Sequence, residues 1–305
     1  MKKQILLVLI YCLMINAGGL GAQAFFQGLN HPVNARGWGM GAAASSQSKS
    51  ASGVLYNPAT IALSPDLWQI NHTMFPLDIS ASSAYSVFTT PVPGKFAMLF
   101  SYLNYGSFTE RDWEGTEVGS FSVYDLTSSV AYSRKLTRRL SVGLSTALTQ
   151  SRLNTMTASA ILGSFGILYY NEISTLSIGL SYRNFGILID SYSGGDEHVP
   201  SMLIAGISKK LAHLPMILSI DAYQAYRDEY IANIGGEFII GEHLFLRWGN
   251  STRRFQIRGQ ESFKNFFSSA SAGFGINFRS FVFDLAVIGL SDAGHISSIS
   301  ISQYL

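Results

Sequence analysis

Residues 140–149 read LSVGLSTALT. Leu140, Val142, Leu144 and Leu148 alternate with Ser141, Gly143, Ser145, Ala147 and Thr149, so an extended chain puts branched apolar side chains on one face and small or polar ones on the other. Two further stretches repeat the pattern. Leu176, Ile178, Leu180 and Tyr182 alternate with Thr175, Ser177, Gly179 and Ser181; Ala270, Ala272, Phe274, Ile276 and Phe278 alternate with Ser271, Gly273, Gly275 and Asn277. The second face is the informative one. A strand whose polar face meets bulk water usually carries Lys and Glu there. Gly, Ser, Thr and Asn suit a crowded interior, and the apolar, often aromatic face suits lipid.

Composition agrees. Charged residues are 13% of the 305-residue chain, about half the roughly 25% usual in soluble domains, and the mean hydropathy is +0.21. Lys2 and Lys3, an apolar run over residues 5–14 and the small-residue site Ala22-Gln23-Ala24 have the form of a secretory signal peptide covering residues 1–24, with the mature chain starting near Phe25. No later run of about 18 apolar residues could form a spanning helix. Cys12 is the only cysteine and lies within that signal behind the bulky Tyr11, so neither a disulfide nor a lipid anchor is expected. In lipid only helices and closed barrels satisfy every backbone group. The chain therefore reads as all-β, a transmembrane antiparallel β-barrel of the bacterial outer membrane. Its formal charge of +2 names no partner, and nucleic acid is not expected.

About fourteen alternating segments of roughly ten residues, the length of a tilted spanning strand, follow one another. They lie near 66–75, 82–92, 95–104, 121–134, 138–150, 155–170, 173–184, 199–209, 215–223, 230–240, 243–250, 268–279, 280–290 and 295–305. Connection lengths test that count. If both chain ends are periplasmic, alternate connections must be short. Those near residues 93–94, 135–137, 171–172, 210–214, 241–242 and 279–280 are short. The long ones, near 105–120, 185–198 and 251–267, all fall on the outer side. The domains are then a signal peptide at 1–24, an N-terminal hatch at 25–65 and the barrel at 66–305. Tyr102, Tyr105, Tyr132, Tyr169, Tyr170 and Tyr182 lie near strand ends, where interfacial aromatics anchor such barrels.

Residues 34–59 read NARGWGMGAAASSQSKSASGVLYNPA, rich in Gly, Ala and Ser and without helical or strand periodicity. They suit a compact plug that packs against a small-residue wall, entering from the periplasmic side. Gly37, Gly39 and Gly41 lack the preceding strand and the spacing of a phosphate loop and read as close-packing positions. The six histidines have no metal-ligand spacing, and no serine is paired by pattern with a base, so neither a cofactor nor catalysis is expected. Asp125, Glu237, Arg247, Arg279 and Asp284 fall on the inferred inward face and must pair there. Arg111 and Trp113 in the first long outer connection, and Arg253, Arg254, Phe255, Phe266 and Phe267 in the last, form the expected contact surface for a partner protein.

Ala35-Arg36-Gly37-Trp38-Gly39-Met40-Gly41, followed by Tyr56-Asn57-Pro58-Ala59, resembles the opening of the PorV/PorQ family within the FadL-like barrel superfamily. The short chain, and the run Ser208-Lys209-Lys210-Leu211-Ala212-His213-Leu214-Pro215 between two strands, lean toward the PorQ side. The resemblance implies fourteen strands, an N-terminal hatch carrying Arg36, Gly37, Gly39, Gly41, Asn57, Pro58 and Ala59, and a non-enzymatic role. That role would be in type IX protein secretion or surface attachment of exported cargo, with secretion proteins or cargo as partners besides outer-membrane lipid. The alternative is a FadL-like channel for hydrophobic small molecules.

Overall fold

The computed structural model describes residues 26–48, 53–192, 199–224, 230–241, 243–255 and 267–305. The expected signal peptide, Phe25 and Phe266 lie outside the described residues. Fourteen antiparallel strands close into one barrel. In order they are β1 (Leu67–Met74), β2 (Ser80–Thr89), β3 (Lys95–Arg111), β4 (Glu117–Lys135), β5 (Leu140–Leu153), β6 (Met156–Asn171), β7 (Leu176–Asp190), β8 (Met202–Lys210), β9 (Met216–Gln224), β10 (Tyr230–Ile240), β11 (Leu244–Ser251), β12 (Ser271–Phe278), β13 (Phe281–Gly289) and β14 (His295–Tyr304). The seam pairs β1 with β14, Leu67 opposite Tyr304 and Ile70 opposite Ile301, so no strand edge remains unpaired around the ring.

The period-two pattern becomes an inside and an outside. Ser141, Gly143 and Thr149 of β5 are buried while Leu144 and Leu148 are exposed; Ser177, Gly179 and Ser181 of β7 are buried while Ile178 is exposed. Exposed Phe100, Leu246, Phe274 and Leu285 continue the apolar band around the barrel. Such a surface belongs in hydrocarbon, and a closed β-barrel that presents it is an outer-membrane barrel. Rings cluster toward the strand ends: Phe88 on Phe96 (6.2 Å) and Phe96 on Tyr132 (5.0 Å) at one end, Tyr102 on Tyr124 (5.6 Å) at the other. Tyr105 is a correction to the interfacial set, because its hydroxyl turns inward to Asp125.

Short connections gather at the end that holds Leu67 and Tyr304, the periplasmic end in barrels of this kind. At the other end β3 and β4 outrun their neighbours. β3 pairs with β2 only as far as Asn104, and β4 pairs with β5 only from Val123. Residues 107–111 and 117–122 therefore form a two-stranded ribbon above the barrel, bent by register shifts at Asn104/Ser107 and Glu110/Arg111. The expected first outer loop is mostly this ribbon.

The N-terminal segment lies inside the ring. It contains a 3-10 turn (Gln27–Asn30), α1 (Ala35–Gly39), α2 (Gly53–Tyr56) and a second 3-10 turn (Pro58–Leu63). Phe26 packs with Ala158, Ala160 and Leu162, near Leu188, Tyr192 and Val199 in the outer half of the barrel. From there the chain descends to Ser64, whose carbonyl accepts from Lys95 Nζ at 2.6 Å at the periplasmic rim. Asn57-Pro58-Ala59 lead into β1 at the end that holds Leu67. The segment is not confined to that side, however, because its first residues reach the outer half and are anchored there by apolar packing.

Candidate functional site

The site is the contact between this luminal segment and the wall. Asn34 caps α1, its Oδ1 accepting from the Gly37 N–H at 2.7 Å, and its amide donates to Tyr85 Oη at 2.9 Å. The Ala35 N–H donates to Ser300 Oγ at 3.1 Å. Asn57 caps the second 3-10 turn, accepting from Ala59 N–H at 3.0 Å, and donates to the carbonyls of Ser45 (2.9 Å) and Ile167 (3.1 Å). One fully buried side chain thus joins two parts of the luminal segment to β6.

Wall glycines make the approach possible. A Cβ at Gly143 would collide with the Pro58–Ala59 peptide, one at Gly166 with the Asn57 side chain, and one at Gly235 with the Met40 carbonyl. On the luminal side, a Cβ at Gly39 would stand 3.1 Å from Gly273 Cα. Backbone thus lies on backbone, which only glycine permits.

Charge pins the middle of the segment. The Arg36 guanidinium donates twice to Glu237 (2.8 and 2.8 Å), and Arg247 donates to Glu237 (2.6 Å) and to Asp284 (2.6 Å). Two cations and two carboxylates balance in a cluster whose wall members are almost fully buried. Burial opposes the charge on Arg36, but Glu237 more than offsets it and holds the guanidinium above its usual pKa. On the neighbouring strand β9 Asp221 accepts from the N–H groups of Ala44 and Ser45 and from Ser45 Oγ, each at 2.8 Å. Arg183 donates to the Leu29 carbonyl at 3.0 Å and stacks over Tyr56. His31 is half-buried, stacked on Trp38 at 5.7 Å and tilted on Phe75.

The ionisable residues expected inside divide accordingly. Glu237, Arg247 and Asp284 meet in one cluster, with Arg36 of the hatch motif as the fourth member; Asp125 is buried apart from them. Arg279 is a correction: it stands exposed in the β12–β13 turn at φ 60°, its guanidinium over Phe278, because the strand ends before it. Arg183 and Asp221 were missed, although each continues the inward register of its own strand.

The proposed contact residues lie at the outer rim. Trp113 is 91% exposed at the ribbon tip, beside an Arg111–Glu117 ion pair. Arg253 lies over Tyr223 at 6.0 Å and Arg254 over Phe255 at 5.8 Å, with Phe255 and Phe267 exposed. Among the described residues no group of His, Cys, Asp or Glu is placed to hold a metal ion. The voids described along the luminal segment are about 20 to 30 Å³ each, room for a water or two.

No family model and no curated protein sequence matches the chain. Solved structures do. The Pseudomonas putida toluene transporter TodX superposes with a TM-score of 0.61 at 13% identity, over 93% of this chain and 98% of that one. A Pseudomonas aeruginosa FadL homologue gives 0.60 at 12% identity, over 89% and 98%. The Ralstonia pickettii toluene transporter TbuX gives 0.60 at 13% identity, over 89% and 98%. The fold is shared with these barrels. At these identities the likeness is one of architecture, and the chemistry of the lumen belongs to this chain.

Proposed function

We propose that the protein is an outer-membrane channel for small apolar molecules, exported by its first 24 residues and closed at rest by residues 25–65 acting as a hatch. The observation that carries this reading is an apolar void in the outer half of the lumen. Leu29, Val33 and Leu55 of the luminal segment face Leu99 and Leu103 of β3 across it. The barrel around it has the fold of proteins described as toluene transporters. The void is smaller than a monoaromatic ring, so passage needs residues 26–33 to withdraw. No catalytic step is part of this role. Cells expressing the full chain should take up labelled toluene faster than cells with an empty vector; equal rates would refute the channel.

A second reading has its own support. A lumen filled by the segment, an exposed Trp113 and Phe255 at the rim, and the Arg36-to-Gly41 and Tyr56-to-Ala59 runs suit a PorV/PorQ-like component of type IX secretion or surface attachment. The rim would then hold secretion proteins or cargo. Tagged protein drawn from outer membranes should recover such components, and Trp113→Ala should lose them with barrel stability unchanged. Toluene uptake without that recovery eliminates this reading.

A further inference from the structure

The void beside Leu29 has polar as well as apolar lining. Ser101 between Leu99 and Leu103 on β3, and Asp125, Thr127 and Thr149 on the next two strands, line it as well, and among the described residues Asp125 is the only charged group on its wall. Asp125 is 9% exposed. Tyr105 donates to its Oδ2 at 2.9 Å, Ser151 donates to its Oδ1, and Tyr192 donates to Ser151 at 2.7 Å. All these partners are neutral hydroxyls. Among the described residues no Lys, Arg or His pairs with Asp125, whereas Glu237 and Asp284 each meet an arginine. A carboxylate that accepts two hydrogens still has two lone-pair positions open. A buried negative charge without a cation is costly, and an entering cation relieves that cost. The space, about 30 Å³, matches an ammonium group, which is close to water in size. Such a group carries three donors, and beside Asp125 it would find the Thr127 and Thr149 hydroxyls, themselves 2.9 Å apart.

We propose that this is a binding site for small primary amines with an apolar body. The ammonium head takes Asp125, and the body lies along Leu99 and Leu103 in the space that residues 26–33 vacate. This deepens the channel reading and rests on it, because the body needs the same withdrawal of residues 26–33. The order of preference follows from charge. A cation completes the site, a neutral hydrocarbon leaves Asp125 unpaired, and a carboxylate is repelled.

The full chain in detergent, titrated calorimetrically at pH 7 with benzylamine, toluene and benzoate, tests it. Benzylamine should bind about tenfold or more tightly than toluene, the scale of one desolvated charge pair, with benzoate weakest. Asp125→Asn should bring benzylamine to the level of toluene. Asp125→Glu should keep the preference, which guards against a misfolded Asn variant; heat-modifiable gel mobility reports closure of each barrel. Equal binding of benzylamine and toluene, or a preference that survives Asp125→Asn, overturns the site and leaves the channel standing. If none of the three compounds binds, the channel reading fails and the amine site fails with it.

Discussion

Gly143→Ala is the sharpest perturbation of the luminal contact. An added Cβ would stand 2.5 Å from the Ala59 nitrogen and closer still to the Pro58 carbonyl carbon, where ordinary contact begins at 3.4 Å, so the 3-10 turn must retreat by more than about 0.9 Å. Neither side can give cheaply: β5 is hydrogen-bonded on both edges, and the atoms struck are backbone. Overpacking of this kind costs about 1–3 kcal/mol. At roughly 2–4 °C per kcal/mol for a large domain, the temperature at which the folded gel band converts should fall by about 2–12 °C. The turn packs on β3 to β6, so its retreat should also unseat Pro58 to Leu63 and raise ion conductance in planar bilayers. Gly119→Ala on the outer ribbon is the matched control, since its Cβ would meet only the end of the Glu110 side chain at 3.5 Å. A Gly143→Ala protein with wild-type mobility and wild-type conductance would refute both the close packing and the hatch.

Three further outcomes follow from the luminal contacts. Arg247→Met leaves Asp284 without its arginine and Glu237 with Arg36 alone, and should destabilise by about 3–5 kcal/mol in a denaturant titration; adding Asp284→Asn should recover part of the loss. Asn57→Ala removes a cap and two donated hydrogen bonds and should cost about 2–4 kcal/mol, with Asn57→Asp unable to rescue because it cannot donate; a cost below about 0.5 kcal/mol would make the motif dispensable. Burial, and then the nearby Arg253 charge, lower the His31 pKa from its usual 6.5 to about 4. The undocked segment therefore takes up a proton that the docked one refuses. Docking is fully favoured above about pH 6.5 and weakens as the pH falls toward 4, so conductance should rise across that window and stay flat in His31→Phe.

Much of the barrel was legible because lipid and lumen impose opposite chemistry on alternate residues. β10, expected at 230–240, runs over Tyr230–Ile240, and the other strands differ from expectation mainly at their ends. Those ends were hidden where structure departs from the membrane rule: the ribbon of β3 and β4 stands above the bilayer, where alternation is no longer required. Arg279 was misplaced by extending the register of Asn277 one step past a turn. Arg183 and Asp221 were readable, on the same face as Ser181 and Ser219. Asn184 was not, because the β6–β7 register shift turns two successive residues inward. Within the luminal segment, Asn57 carried a signal through its N-P-A setting. The pairing of Arg36 with Glu237 across 201 positions carried none, because nothing local links them.

The route of the luminal segment also orders the assembly of the molecule. Ala35 is fixed by Ser300, and Arg36 reaches Asp284 through Glu237 and Arg247, so the stretch that leads the barrel docks on strands made last. Contacts this far apart in sequence form slowly. Until β12 and β14 arrive, the Gly39 carbonyl and the Ala35 N–H lack their partners Ser271 and Ser300. Once β1 has joined β14 the ring leaves the segment no lateral way in. A segment not already held within the curling sheet must then enter along the barrel axis, so joining of first strand to last divides a folded-in route from a threaded one.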